Sequence, residues 1–500
     1  MHGRSRHVEQ GDLPGTRRAN RGGNRQSRPG RSQSTHISEE VSETGWSEGV
    51  QEGGLFKDIS NERKPAEVSE MTKQAGETRP TEWEWVERSV WTERMLEALE
   101  KGVKGGVWFS LIDKIYRPST LKQAWQRVKA NRGGAGSDNQ SIKDFQGRLE
   151  ENLSKLSEEL RAGSYRPRPI RRRYIKKPGT KEKRPLGIPA VRDRVVQAAV
   201  RLVIEPIFEK EFAGCSYGFR PKRGSKDALR EVDRLLKAGY SQVVDADLKA
   251  YFDSIIHERL MEEIRGYIAD GRLLSLIEMF LKQDILEGLK LWTPEEGTPQ
   301  GAVISPLLAN IYLHPVDVEM QKAGYHMIRY ADDFVILCKS RAEAGEAKVK
   351  VASLTGERGL SLHPEKTRLV NAETPGEGFD FLGYHFEGGA RWPRKKSLKK
   401  LKDSIRRKTK RCNGHSMERI IEDVNGTLRG WFEYFKHSNK WTFPRLDSWI
   451  RRRLRSILRK RKKLQGISRG RDHQRWPNTY FRDHGLFSLV EAHRSLLQSS

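Results

Sequence analysis

At 500 residues and 57.5 kDa the chain has room for two or three domains, yet only 35% of it is hydrophobic, so part of it is expected to lack a packed core. A formal charge of +28 and a pI near 9.9 point to a polyanionic partner, nucleic acid ahead of an anionic membrane; no run of about 20 apolar residues and no secretory h-region is visible, so a soluble, cytoplasmic protein is expected. Cys215, Cys338 and Cys412 lie far apart, which excludes a disulfide framework and a Cys-x-x-Cys zinc site.

Residues 1–80 are rich in Arg, Gly, Ser, Gln and Glu and too poor in large apolar residues to offset ordering entropy, so a disordered basic tail is expected. From Trp83 the texture changes: Val86, Val90, Trp91, Met95 and Leu99 recur at helical steps and predict an amphipathic helix. Further helices are predicted from Leu121 to Ala130, ended by the glycine-rich Gly133 to Gly136, and from Leu149 to Leu160. Between Arg166 and Pro189 a basic, Pro- and Gly-punctuated stretch predicts a hairpin. It carries Arg171 to Arg173, Lys176, Lys177, Lys181, Lys183 and Arg184. A triphosphate needs several cations at fixed distance, and Lys177 as point charge and Arg184 as fork are the candidates, against a solvated basic ribbon.

The apolar run Val243 to Asp247 reads as a strand ending in a carboxylate, followed by a helix-like stretch from Ile255 to Ile264. Asp253 is expected to cap that helix. A helix over Ser275 to Lys282 precedes the tight turn Gly297-Thr-Pro-Gln-Gly301, where Gln300 is free to hydrogen-bond. Another helix starts at Ser305 with proline in its first turn.

Met327 to Leu337 then places Asp332 and Asp333 between two short β-prone runs, as a hairpin with acid at its tip. Adjacent carboxylates repel each other, so a divalent cation beside them explains the pair better than chance, although Asp-Asp is also common in solvated turns. Asp247 is the best distant partner. Carboxylates on adjacent strands can hold two Mg²⁺ ions about 3.5–4 Å apart and so serve nucleotidyl transfer. Asp245 shares the strand face of Asp247 and is expected to be a carboxylate at the solvent edge or one that supports the metal ligands from behind. Together these elements predict an α+β architecture, an antiparallel sheet backed by helices.

Beyond Trp392 the chain turns basic and helical, with Leu398, Leu401 and Ile405 on one stripe. From Trp449 to Lys463 a second stripe of Ile450, Leu454, Ile457 and Leu458 is flanked by Arg451, Arg452, Arg453, Arg455, Arg459, Lys460, Arg461, Lys462 and Lys463. So many like charges predict a face for structured RNA, with binding that weakens as salt rises.

Several blocks in order carry a resemblance: Asn131-Arg-Gly-Gly-Ala-Gly136, Arg184-Pro-Leu-Gly-Ile-Pro189 with Asp193-Arg194, Ser216-Tyr-Gly-Phe-Arg-Pro221, Asp247-Leu-Lys-Ala-Tyr-Phe-Asp253, Gly297-Thr-Pro-Gln-Gly301, Tyr330-Ala-Asp-Asp333, His363-Pro-Glu-Lys366 and Phe381-Leu-Gly-Tyr384. Over roughly residues 85 to 465 the chain resembles the reverse transcriptases encoded by bacterial group II introns. Asn139 departs from the glycine common in that family, a mild change because Asn tolerates positive φ.

The resemblance implies a right-hand polymerase whose antiparallel palm is followed by an all-α maturase domain. The expected divisions are an N-terminal extension and start of fingers at 81–165, fingers and palm at 166–394, thumb and maturase domain at 395–465, and a DNA-contacting tail without endonuclease at 466–500. Asp247 and Asp332 become the ligands of two Mg²⁺ ions, with Asp333 the third catalytic carboxylate. Lys177, Arg184, Phe252, Gln300 and Lys366 become nucleotide contacts, Phe252 testing the sugar 2′ position against an alternative of apolar packing, and Lys366 a general acid or a surface ion pair. Arg451, Arg452, Arg453, Arg455, Arg459 and Lys460 become RNA contacts. The implied partners are the intron RNA, a DNA primer or target and deoxynucleotides, with no membrane, in a monomer or homodimer that joins the nucleoid when acting on DNA. Alternatives are a domesticated reverse transcriptase in defence or repair, and a splicing cofactor whose polymerase is dispensable.

Overall fold

The computed structural model describes residues 83–176, 183–464 and 470–498, so the expected N-terminal tail and Lys177 lie outside the described residues. Helices α1 (Glu93–Lys101), α2 (Ile112–Ile115), α3 (Pro118–Ala130), α4 (Ile142–Gly147) and α5 (Leu149–Ala162) lead into the strands β1 (Ile170–Lys176) and β2 (Lys183–Ile188). The long α6 (Val191–Glu211) and α7 (Ser225–Lys237) precede β3 (Gln242–Asp247). Then come α8 (His257–Arg265), α9 (Gly271–Leu281), β4 (Ile285–Glu287), β5 (Lys290–Trp292), α10 (Ser305–Lys322), β6 (His326–Tyr330), β7 (Asp333–Cys338), α11 (Arg341–Glu357) and β8 (Arg368–Asn371).

The rest comprises β9 (Phe379–Phe381), β10 (Tyr384–Glu387), β11 (Ala390–Pro393), α12 (Lys395–Lys408), α13 (Met417–Phe435), α14 (Thr442–Arg461), α15 (Gly470–Arg475), α16 (Asn478–Asp483) and α17 (Leu489–Gln498). Among the described residues the strands form three sheets, ordered β2-β1-β4-β5, β6-β7-β3-β8 and β11-β10-β9.

The sheet β6-β7-β3-β8 is antiparallel and apolar on both faces. Val244, Ala246, Phe334, Ile336 and Cys338 enter a large core shared with α6 and α8 to α11. On the other face Val243, Val335 and Leu337 pack with Ala228, Leu229 and Val232 of α7 and with the aromatic rings of β9 and β10. Burial on both faces explains why β3 and β7 read as near-continuous apolar runs, and it isolates any carboxylate on them. Cys338, which closes β7, is fully buried.

Two local expectations are corrected. The apolar spacing from Val86 to Leu99 does not mark one helix: Trp83, Val86, Val90 and Trp91 are buried in turns, and α1 begins at Glu93, where the Thr92 hydroxyl accepts from the Met95 N–H and caps it. Asp253 does not cap α8, whose N-cap is Ile256; it ends a short 3₁₀ turn, Tyr251–Asp253. Asn139 does take positive φ, at 57°.

The C-terminal helices have their own core, where Leu401, Ile405, Ile420, Leu428, Ile450, Leu454 and Ile457 meet Trp476, Phe481 and Leu489. Residues from 470 onward therefore pack into the helical domain and are not a separate tail. Asp447 ties them down, its carboxylate accepting from the Leu489 and Val490 N–H groups and the Ser488 hydroxyl. Among the described residues no helix is long and apolar enough to cross a membrane.

Candidate active site and nucleic-acid interface

Three carboxylates meet at one end of the central sheet. Asp247 closes β3 directly opposite Asp333, which opens β7, and Asp332 occupies the turn one residue earlier. Asp245 stands two residues back on β3, beside Val335. Period two puts Asp245, Asp247 and Asp333 on the same face.

Their electrostatics record the crowding. Burial, then the charges of Asp245, Asp332 and Asp247, push Asp333 up to about 8. Burial and then Asp247 raise Asp332. Arg368 supports Asp245 with Nε and Nη2 at 3.0 and 2.9 Å from Oδ2, opposing the rise that burial causes there. Lys366 Nζ donates to Asp247 Oδ2 at 2.5 Å, so the expected contact residue of the His363 to Lys366 block reaches the metal-ligand candidate itself.

Hard carboxylate oxygens held this close suit a hard divalent cation, and reverse transcriptases as a family use divalent metal ions. Among the described residues no group of three or more His, Cys, Asp or Glu stands in metal-holding geometry. The donor types fit, and Lys366 stands where a cation at Asp247 would compete with it.

The fingers hairpin meets this end of the palm. Arg184 Nε donates to Gln300 Oε1 at 2.7 Å, and the Gly187 N–H donates to the Gln300 carbonyl at 2.7 Å, so two expected nucleotide contacts touch each other. The approach is close enough that a Cβ on Gly301, which has φ +113°, would lie 2.4 Å from the Gly187 carbonyl oxygen. Arg184 also opposes the upward shifts of Asp332 and Asp253, as Arg172 does for Asp253. Phe252 is 9% exposed, part of the large core and 5.4 Å from the Tyr251 ring. Its carbonyl accepts from the Thr298 N–H at 2.7 Å, joining it to the Gly297 to Gly301 turn.

The basic face of α14 departs from expectation. Arg455 is 2% exposed and turned inward: Nε donates to the Trp476 carbonyl, Nη2 to Asn478 Oδ1, and the guanidinium lies 5.1 Å from the Phe481 ring. Arg459 pairs with buried Asp472 at 2.8 and 2.9 Å. Arg453 donates to the hydroxyl and carbonyl of Thr409, and half-buried Arg451 sits 3.9 Å from Asp447. Arg455 is thus a strut between α14 and the C-terminal helices and not an RNA contact. Arg452, Lys460, Lys462 and Lys463 are exposed. Around Trp449 the cations Lys402, Arg406 and Arg453 converge at 5.8–6.0 Å from the ring, a same-sign cluster between α12 and α14 that sequence reading missed.

Also missed was Arg329, buried in β6 and bidentate to Asp317 of α10. The signal was present: a guanidinium inside an apolar strand must have a buried partner.

Residues 175–386 match the reverse transcriptase (RNA-dependent DNA polymerase) family, and residues 398–476 match the group II intron maturase-specific domain. The chain is 34% identical over 315 residues to Protein YkfC of Escherichia coli, covering 55% of this chain and 82% of that protein. It is 38% identical over 231 residues to the group II intron-encoded protein LtrA of Lactococcus lactis, covering 45% of this chain and 38% of LtrA. A putative COX1/OXI3 intron 1 protein of Saccharomyces cerevisiae matches at 26% over 405 residues, 69% of this chain and 47% of the relative. An acid tip on an antiparallel palm, joined to a helical domain of the maturase type, accounts for both matches: the chain belongs to the group II intron-encoded reverse transcriptases.

Proposed function

We propose that this protein polymerises DNA on an RNA template at the palm tip, and that its helical domain holds the group II intron RNA, assists its splicing and presents it for copying during insertion into DNA. The observation that carries the reading is the facing of Asp247 and Asp333 across β3 and β7, with Asp332 beside them and Lys366 on Asp247. Two Mg²⁺ ions bound by Asp247 and Asp332 would lower the pKa of the primer 3′-hydroxyl and steady the pyrophosphate leaving group.

The chain's own residues supply the rest. Asp333 stands opposite Asp247 as the third carboxylate, ready to ionise beside a bound cation, Asp245 backs it while paired with Arg368, Arg184 with Gln300 lines the approach from the fingers for the triphosphate, and Phe252 borders the sugar. Lys366, held at the tip by Asp247, is the candidate general acid for the leaving group. The basic surface of α12 and α14 suits the backbone of an A-form helix, which is recognised by shape and phosphate contacts. Action in the bacterial cytoplasm, at the nucleoid when DNA is the primer, follows from these substrates.

Primer extension on an RNA template tests the reading, comparing the native chain with Asp332→Ala. Extension by the native chain alone supports it. Equal extension by both removes the carboxylates from the reaction, and splicing support by an Asp332→Ala chain as good as native would show that the maturase role stands apart from polymerisation.

A further inference from the structure

The turn bearing Asp332 has an unfavourable residue at its corner. Pairing of Tyr330 with Asp333 leaves Ala331 and Asp332 as a two-residue hairpin loop. Ala331 has φ +60° and Asp332 does not share the positive sign, the pattern of a type II′ turn, in which glycine is favoured at the first position. An alanine there is held against its own preference.

Arg329 supplies the holding contact. Its Nε donates to Asp317 Oδ1 at 2.7 Å and Nη2 to Asp317 Oδ2 at 2.5 Å, which balances its buried charge. The other three N–H groups go elsewhere: Nη1 to Asn310 Oδ1 and to the Ala331 carbonyl, both at 3.0 Å, and Nη2 to Ser216 Oγ at 2.8 Å. Asn310 in turn donates to the Gly218 carbonyl at 2.8 Å, and a Cβ on Gly218 would lie 2.4 Å from the Ala331 nitrogen. The turn is therefore gripped at its carbonyl by Arg329 and backed at its nitrogen by the Ser216 to Pro221 block.

We propose that Arg329 is a positioning residue for polymerisation: by donating to the Ala331 carbonyl it fixes the left-handed corner that aims Asp332 and Asp333 at the substrate cleft. The inference rests on the polymerase reading above. A simple ion pair with Asp317 would need two of the five donors; the geometry commits the remaining three to the turn and the groups that back it.

Arg329→Lys keeps the charge for Asp317 but lacks the fork that reaches Ala331. It is expected to lower kcat about 10- to 100-fold, as a small misplacement of reacting groups does, with primer–template affinity unchanged. Mn²⁺ binding without nucleotide, followed by electron paramagnetic resonance, should weaken in parallel. Adding Ala331→Gly should restore about fivefold or more of the lost kcat in the lysine background, with no comparable gain in the native one, because glycine takes the left-handed corner unaided. If the lysine variant does not fold, the charge-free pair Asp317→Asn/Arg329→Gln is read the same way.

Native kcat and Mn²⁺ affinity in Arg329→Lys would overturn the proposal, as would a loss that tracks the melting temperature and that Ala331→Gly leaves unrepaired. Native extension is the control: an inactive native chain overturns the polymerase reading and this one with it, whereas an active native chain with an equally active lysine variant overturns only this one.

Discussion

The palm tip and the helix α14 both concentrate one sign of charge, and they resolve it in opposite ways. At the tip the carboxylates of Asp247, Asp332 and Asp333 stay together, and burial, with the neighbouring carboxylates Asp245, Asp332 and Asp247 adding to it, pushes Asp333 up to about 8. On α14 the cations disperse: Arg453, Arg455 and Arg459 are consumed by protein acceptors, while Arg452 and Lys460 remain on the surface. Carboxylates kept together with only Lys366 paired to Asp247 among them mark where an outside ion of opposite sign belongs; charge in a run does not, until its partners are known.

The largest effect expected from that contrast is at the tip. Asp247→Asn should cut RNA-templated primer extension on the order of 10³-fold, since several kcal/mol of transition-state stabilisation go with the metal site, while RNA affinity holds. Loss of both activities together would show that tip and helical domain are not separable.

Arg455→Ala should behave as a core mutation despite its charge. Removing it strands the Trp476 carbonyl and Asn478, so a loss of about 2–4 kcal/mol in chemical denaturation is expected, with RNA affinity of the folded fraction intact. A variant as stable as native that binds RNA weakly would reverse the assignment.

Asp193 offers a buried acid away from the tip as a control. It accepts from the Tyr165 hydroxyl and the Arg168 N–H, and burial pushes it up to about 6. Its folded-state value exceeds its unfolded one, so the stability it adds is full below about pH 4 and is lost as pH rises through 6. Relative to Asp193→Asn, the native chain should lose about 2 kcal/mol between pH 4 and pH 7. A stability difference flat across that range would show that burial does not set this carboxyl.

The smallest effect belongs to the exposed cations. Arg452→Ala and Lys460→Ala should leave denaturation unchanged and each reduce the slope of log affinity against log salt by about 1, measured on intron RNA. No change in slope would move the RNA elsewhere, the Trp449 cluster being next in line.

Much of the tip was legible because it is local or nearly so: Asp332 and Asp333 are adjacent, and the apolar runs around them and before Asp247 fix strands whose ends must converge on one sheet. The apolar stripe of α14 was legible for the same reason. What a periodicity cannot carry is the identity of distant partners. Whether Arg455 faces solvent depends on Trp476 and Asn478, beyond the end of its helix, and the role of Arg329 depends on Asn310 and Asp317 of α10 and on Ser216, in two other places. The start of α1 was misread because Val86, Val90 and Trp91 bury their side chains from turns, and burial alone imitates a helical stripe.

The most direct test is to count divalent ions at the tip. Titrating the native chain with Mn²⁺ in the presence of primer, RNA template and deoxynucleotide, followed by electron paramagnetic resonance, should reveal two tightly bound ions that Asp332→Ala no longer holds. Undiminished binding in that variant would contradict the account.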